Sequence, residues 1–271
     1  MSAGSVNNVL LANIASLAGI PKSNIASIAG GTVAGGIVTD GLAFYVDAGD
    51  SNSYPGSGTT WTDISTNSNN GTLTNGPVFD SGNGGSIDFD GTDDYVDLGS
   101  VDSSNAISLA GSTGQTWEAW FKADGTGDSY QRIFDKSNGG NGLNGHFLTV
   151  GANPNDGRVY CRLTPSSGDS GDGYFNDMYT VGNWTHVCVT RKNDTADTGW
   201  NFYSNGVLKG SRSTTDLAVP TTTTNAKIGT WNHSTSREFR GNIAAVRLYN
   251  KDLSLAEVLQ NYNADKARFG L

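Results

Sequence analysis

Glutamate is nearly missing from this sequence: it occurs three times in 271 residues, against 23 aspartates. Helical surfaces carry much of their charge on Glu and Lys, which lose little rotamer freedom in a helix, so a predominantly helical fold is excluded. Charge of any kind is scarce, at 16% of residues. The net charge of −9 argues against a nucleic-acid footprint, which needs clustered Lys and Arg, and against docking on an anionic membrane. No run of about 18 apolar residues is present, so no membrane-inserting helix is expected. No basic residue precedes the first apolar stretch, so a secretory signal is not expected either. Cysteine occurs twice, too few for a disulfide framework. Cys161 and Cys188 both lie in strand-like segments, as two buried thiols or as one bridge. His186 and Cys188 stand two apart without the further partners that a metal site would need.

What is abundant is Gly, Asn, Ser, Thr and aromatic residues, the vocabulary of strands joined by turns. The length fits one all-β domain of roughly 200–250 residues with a short appendage.

The chain divides near residue 38. Residues 1–38 hold a single charge, Lys22, and contain a repeat: Asn13-Ile14-Ala15-Ser16-Leu17-Ala18-Gly19 recurs as Asn24-Ile25-Ala26-Ser27-Ile28-Ala29-Gly30. Leu10, Leu11, Ile14 and Leu17 share one helical face, and Ile25 and Ile28 another. Gly19 and Pro21 fit a helix stop. Each piece is shorter than the roughly 12–15 residues at which an isolated helix becomes marginal in water. Two readings stand: a locally packed N-terminus, or an arm that docks the rest of the chain onto a larger assembly.

From residue 39 the hydrophobic period becomes two. Strands are expected at Leu42–Asp47, Ser86–Phe89, Tyr95–Leu98, Thr116–Lys122, Arg132–Asp135, His146–Val150, Arg158–Leu163, Trp184–Arg191, Trp200–Ser204, Ala226–Gly229 and Asn242–Tyr249. Asp90-Gly91, between the second and third, reads as a hairpin turn. Such a series suggests an antiparallel two-sheet jelly-roll sandwich. One helix closes the chain: Ser254-Leu255-Ala256-Glu257 is a capping box, with Leu255, Val258, Leu259 and Tyr262 at helical spacing.

The segments GLAFYVDAGDSNSY, SIDFDGTDDYVDL, TWEAWFK, NWTHVCVTR, WNFYSNGVLKG, AKIG and FRGNIAAVRLYNKDLSLAEVLQNYNADKARFGL follow one another in order. Together they resemble the concanavalin A-like, laminin-G-like jelly rolls over residues 39–271. The resemblance implies two packed antiparallel sheets with Trp117, Trp120 and Trp184 in or beside the core. The loops SNSYPGSGTTWTD and STNSNNGTLTNGPVFDSGNGGSIDFDG, the ending NYNADKARFGL and the arm are similar to segments of tailed-bacteriophage structural proteins, particularly those of marine and cyanobacterial hosts.

Glycoside hydrolysis needs two carboxylates about 5–5.5 Å or 6.5–9.5 Å apart. Only Glu118, Glu238 and Glu257 are available, none begins a Glu-x-Asp-x-x-Glu motif, and Glu257 already caps a helix. His146, His186 and His233 are scattered, no Gly-x-Ser-x-Gly nucleophile motif occurs, and His146 and His233 read as exposed loop or strand-end residues. A non-enzyme is therefore expected. Asp88, Asp90, Asp93 and Asp94, with Asp97, offer hard oxygens for a structural Ca2+, although Asp is also a common turn residue. Asp169, Asp172 and Asp177 form a second acidic group in a segment read as a loop. Trp61, Tyr174, Phe175, Trp200, Trp231 and His233 sit near Asn, Asp and Gly, where aromatic faces could stack on sugars or pack under loops. The expectation is a virion structural protein, a decoration, tail or fibre component. Residues 1–38 would attach it to other virion proteins, with oligomerisation through that arm, and it would display the sandwich. The alternative is a carbohydrate-binding adhesion module for host surface polysaccharide, extracellular or at a cell surface.

Overall fold

The computed structural model describes residues 36–138, 145–151, 153, 155–164, 171–193, 198–213, 219, 221, 223–233 and 236–271. They fall into two compact units, Thr39–Leu253 and a smaller one that joins Ser254–Leu271 to the segment ending at Val38.

The larger unit is built from strands. The first eight are β1 (Leu42–Asp47), β2 (Thr60–Trp61), β3 (Gly71–Thr74), β4 (Val78–Asp80), β5 (Ser86–Asp90), β6 (Tyr95–Val101), β7 (Gly114–Ala123) and β8 (Arg132–Ser137). The others are β9 (Gly145–Val150), β10 (Val159–Thr164), β11 (Gly171–Phe175), β12 (Thr185–Asn193), β13 (Thr198–Ser204), β14 (Val207–Ser213), β15 (Thr224–Ile228) and β16 (Arg240–Tyr249). They make two antiparallel sheets of eight. The first runs β14-β13-β12-β7-β16-β5-β4, with β1 also paired to β16; the second runs β11-β10-β9-β8-β15-β6-β3-β2. The fold is an all-β, two-sheet jelly-roll sandwich, as the period-two pattern implied.

Alternation explains the layers. Trp117, Ala119 and Phe121 of β7, Val187 and Val189 of β12, and Val246 and Leu248 of β16 enter a shared core with Leu148, Cys161 and Leu163 of the second sheet. On the opposite face of the first sheet, Glu118, Trp120, His186 and Arg247 are also fully buried. Trp184 is only partly buried. Cys161 and Cys188 are free and buried, and burial pushes both thiols well above their usual range, which leaves them unreactive.

Three sequence expectations are corrected. Asp90-Gly91 does not turn a hairpin: β5 pairs with β4 and β16, while β6 pairs with β3 and β15 in the other sheet. Gly91 has a φ of 73°, and the Asp94 carboxylate accepts the Asp90 N–H at 2.9 Å, so the connection bonds to itself and carries the chain between layers. Alternation in the two strands is the same whether they pair or face each other. His146 is 1% exposed rather than a surface residue: its Nδ1 accepts the Trp117 indole N–H at 3.0 Å and its Nε2 donates to the Ile107 carbonyl at 3.1 Å. Burial and the charge of Lys136 push its pKa down to about 3, so it stays neutral. Finally, the stretch holding Asp172 is strand β11; Asp177 lies just beyond it, and Asp169 lies outside the described residues.

In the smaller unit, helix α1 (Leu255–Asp265) starts on the expected capping box: the Ser254 hydroxyl accepts the Glu257 N–H, and Glu257 Oε2 accepts the Ser254 N–H at 2.8 Å. Asn261 and Gln260 of α1 bond the backbone of Val38 and Gly36. The proposed arm contacts Leu10, Leu11, Ile14, Leu17, Ile25 and Ile28 lie outside the described residues.

Candidate functional site

The second sheet has an outer face that is neither hydrophobic nor bland. In β10 the inward residues are Val159, Cys161 and Leu163, so Tyr160 and Arg162 face away from the core. Register extends this face over neighbouring strands. Tyr174, Tyr160, Thr149 and Arg132 form one row, and Arg162, Phe147 and Asp135 the next. All of these but Asp135, with Tyr130 and Arg237 at the rim, line a groove of about 440 Å³, within the usual range for small-ligand sites.

Tyrosine rings line it. Tyr160 lies 4.9 Å from Tyr174 with the two rings tilted by 34°, and meets Tyr130 nearly edge-on at 5.5 Å. Arginines cover or flank these rings. Arg158 lies 4.9 Å from the Tyr174 ring and donates to the Tyr160 hydroxyl at 3.0 Å. Arg212 lies 4.2 Å from the Tyr174 ring and bonds its carbonyl. Arg237 sits 4.2 Å from Trp231 and 5.6 Å from Tyr130. Five of the nine arginines in a chain of net charge −9 thus gather around one face.

Arg132 forms the floor. Its guanidinium packs 3.8 Å from the Phe147 ring, Nε donates to Asp135 at 2.8 Å, and Nη1 donates to the Tyr130 carbonyl at 3.2 Å. Both members of the ion pair are almost fully buried, and Nη2 has no partner among the described residues. A buried polar group left so costs about 1–3 kcal/mol. Burial lowers the pKa of Arg132 to about 10; Asp135 opposes that, while Arg237 and Arg162 add to it by repulsion. The arginines therefore sense one another's charge. Arg162 and Arg237 make no ion pair among the described residues, although Asp172 stands opposite Arg162 in the ladder.

Of the aromatic candidates read from the sequence, only Tyr174 lines this groove. Trp231, 8% exposed, and exposed His233 form a contact at 5.4 Å next to Arg237. Trp61 and Trp200 are corrected: both are fully buried in the core, where their rings offer no face to a ligand. Phe175 packs against the core at 5.2 Å from Phe202, because its place in β11 turns it inward. Tyr130, Tyr160 and the arginines are not among the sequence candidates, yet the sequence carries a signal for some of them: in Arg158-Val159-Tyr160-Cys161-Arg162, every second residue is basic or aromatic.

The carboxylates have other duties. Glu118 Oε1 accepts from Arg247 Nη1 at 2.6 Å and lies 3.2 Å from His186, all three fully buried. Glu257 caps α1. Glu238 is 3% exposed, and burial lifts its pKa to about 7. Of the proposed calcium ligands, Asp90, Asp93 and Asp94 bring carboxylate oxygens within 4.8 Å of one another, while Asp88 stays outside the group. The donors are of the hard type Ca2+ takes. However, Asp90 and Asp94 already accept backbone N–H groups of the crossing, so the cluster has a structural task without an ion.

Residues 90–259, more than half of the chain, match the family model described as the concanavalin A-like lectin/glucanases superfamily. No curated protein matches the sequence. Among solved structures, a botulinum neurotoxin type G receptor binding domain is 13% identical with a TM-score of 0.58, over 82% of this chain and 51% of that one. A serotype D ligand binding domain in complex with N-acetylneuraminic acid is 15% identical with a TM-score of 0.59, over 83% of this chain and 51% of that one. The chain spans about half the length of these structures, and at such identity the likeness carries the fold alone.

Proposed function

Because the chain belongs to the concanavalin A-like lectin/glucanases superfamily, a fold that hosts both binders and hydrolases, we propose from its own side chains that it is a non-catalytic carbohydrate-binding module. The observation that carries this reading is the row of tyrosine rings set beside guanidinium donors on the outer face of the second sheet. A pyranose presents C–H groups on one side and hydroxyls around its edge. Tyr160 and Tyr174 suit the first, and Arg158, Arg162 and Arg237 suit the second. A site on strands holds its side chains in place through the ladder, so little ordering is needed on binding. That a fold relative was solved with N-acetylneuraminic acid agrees with this reading. The commitments of Glu118 and Glu257 to an ion pair and a helix cap favour binding over hydrolysis. Affinity electrophoresis of the whole chain through gels containing polysaccharide tests it. Tyr160→Ala should weaken retention about tenfold, the loss of roughly 1.4 kcal/mol of stacking; retention unchanged by Tyr160→Ala and Tyr174→Ala together would remove the reading.

The second reading concerns context. The repeated, nearly chargeless segment 13–30 and its likeness to phage structural proteins support a place in a virion, where residues 1–38 would attach the sandwich to other virion proteins. Deleting residues 1–38 should then abolish incorporation into particles, and normal incorporation of the shortened chain would sink the idea.

A further inference from the structure

We infer that the groove selects acidic saccharides, sugars bearing a carboxylate or a sulfate, and that Arg162 and Arg237 hold the anionic group above Arg132. This rests on the carbohydrate-binding reading and adds the class of ligand to it.

A groove that only stacked neutral sugars would need amides and hydroxyls beside its rings. This one is lined by three guanidiniums, Arg132, Arg162 and Arg237, and the buried Asp135 carboxylate next to Arg132 is already engaged by its Nε at 2.8 Å. Like charges brought together in a partly dry site repel one another, and that repulsion is relieved when an anion enters. The second observation is independent of the charge count. Arg132 is fully buried, yet its Nη2 has no acceptor among the described residues, while its other nitrogens are satisfied by Asp135 and the Tyr130 carbonyl. Phe147 covers one face of the guanidinium at 3.8 Å and keeps it from turning elsewhere. An oxyanion seated between Arg162 and Arg237 would sit in the field of this third guanidinium. Planar guanidiniums fit carboxylate and sulfate oxygens in pairs, which lysines would not. The setting is also against composition, since a chain with 26 acidic and 17 basic residues builds a face dominated by arginine. Tyr160 and Tyr174 then take the ring of the same sugar, so both charge and stacking are read together.

The test measures binding of the whole chain to dextran, polygalacturonate, dextran sulfate and polyglutamate at moderate salt. Wild-type protein should prefer polygalacturonate or dextran sulfate over dextran by about tenfold or more, as expected for one added charge-assisted hydrogen bond. Which of the two wins identifies the anionic group. Arg162→Gln and Arg237→Gln, both at partly exposed positions that leave the Arg132–Asp135 pair intact, should each erase most of that preference while the melting temperature stays put. Equal binding of dextran and the acidic polymers, lost on Tyr160→Ala, overturns the acidic selection and leaves the carbohydrate reading standing. Binding of polyglutamate as tight as that of the acidic sugars overturns the saccharide class. Failure to bind any of the three polysaccharides removes both.

Discussion

Glu238 gives the molecule a measurable dependence on pH. It is 3% exposed, its Oε2 has no partner among the described residues, and its pKa rises from 4.5 to about 7. Burial is the main cause; Asp128 and Asp93 add to it, whereas Thr230 and Lys227 oppose it. A carboxyl whose folded pKa lies above its unfolded value binds its proton more tightly in the native state. Its contribution to stability is then greatest below about pH 4.5 and is lost as the pH rises through 7. At about 1.4 kcal/mol per unit, the loss accumulates to roughly 3 kcal/mol above pH 7. Glu238→Gln imitates the protonated acid and removes this cost. Urea denaturation followed by tryptophan fluorescence at pH 4.5, 6, 7 and 8 reads the effect directly. The stability difference between variant and wild type should grow by roughly 3 kcal/mol over that series, most steeply between pH 5 and 7. A difference that stays constant with pH would refute the reasoning, because a packing change alone has no reason to follow a proton.

The pair Arg247–Glu118 should behave as buried ion pairs do. Arg247→Met takes its 2.6 Å ion pair from the fully buried Glu118 carboxylate and should cost about 3–5 kcal/mol in urea. Adding Glu118→Met to that variant should recover most of the loss, since the desolvated charge is then gone as well; a double variant no more stable than the single one would contradict this.

The two-sheet class was readable because core residues recur at every second position in several strands, as with Phe44 and Val46 in β1, Val187 and Val189 in β12, and Val246 and Leu248 in β16. The capping box was readable because both of its bonds are local. Pairing was not, and the Asp90-Gly91 connection shows why: a strand's period tells which residues share a face but not which sheet the strand joins. The same limit misplaced Trp61 and Trp200. A tryptophan near polar loop residues looks available, yet only the tertiary structure shows its ring in the core. The groove draws its residues from β8 to β11 and from the segment around Arg237, and no local pattern connects Arg132 to Arg162. Only the part at the start of β10, where Arg158 just before the strand and Tyr160 and Arg162 within it alternate with Val159 and Cys161, was written in adjacent letters.

The position of β16 has a consequence for how the chain reaches its fold. Although it is the last strand in sequence among the described residues, it bonds β7, β5 and β1 in the first sheet, and Phe44 faces Leu248 across the ladder. During synthesis the earlier strands of that sheet must wait, with apolar faces uncovered, until Arg240–Tyr249 has been made. Closing loops of that span before their contacts form is slow for an all-β topology. A ribosome that stalls before residue 240 releases a sheet split down the middle, whose halves have open edges and no way to seal them.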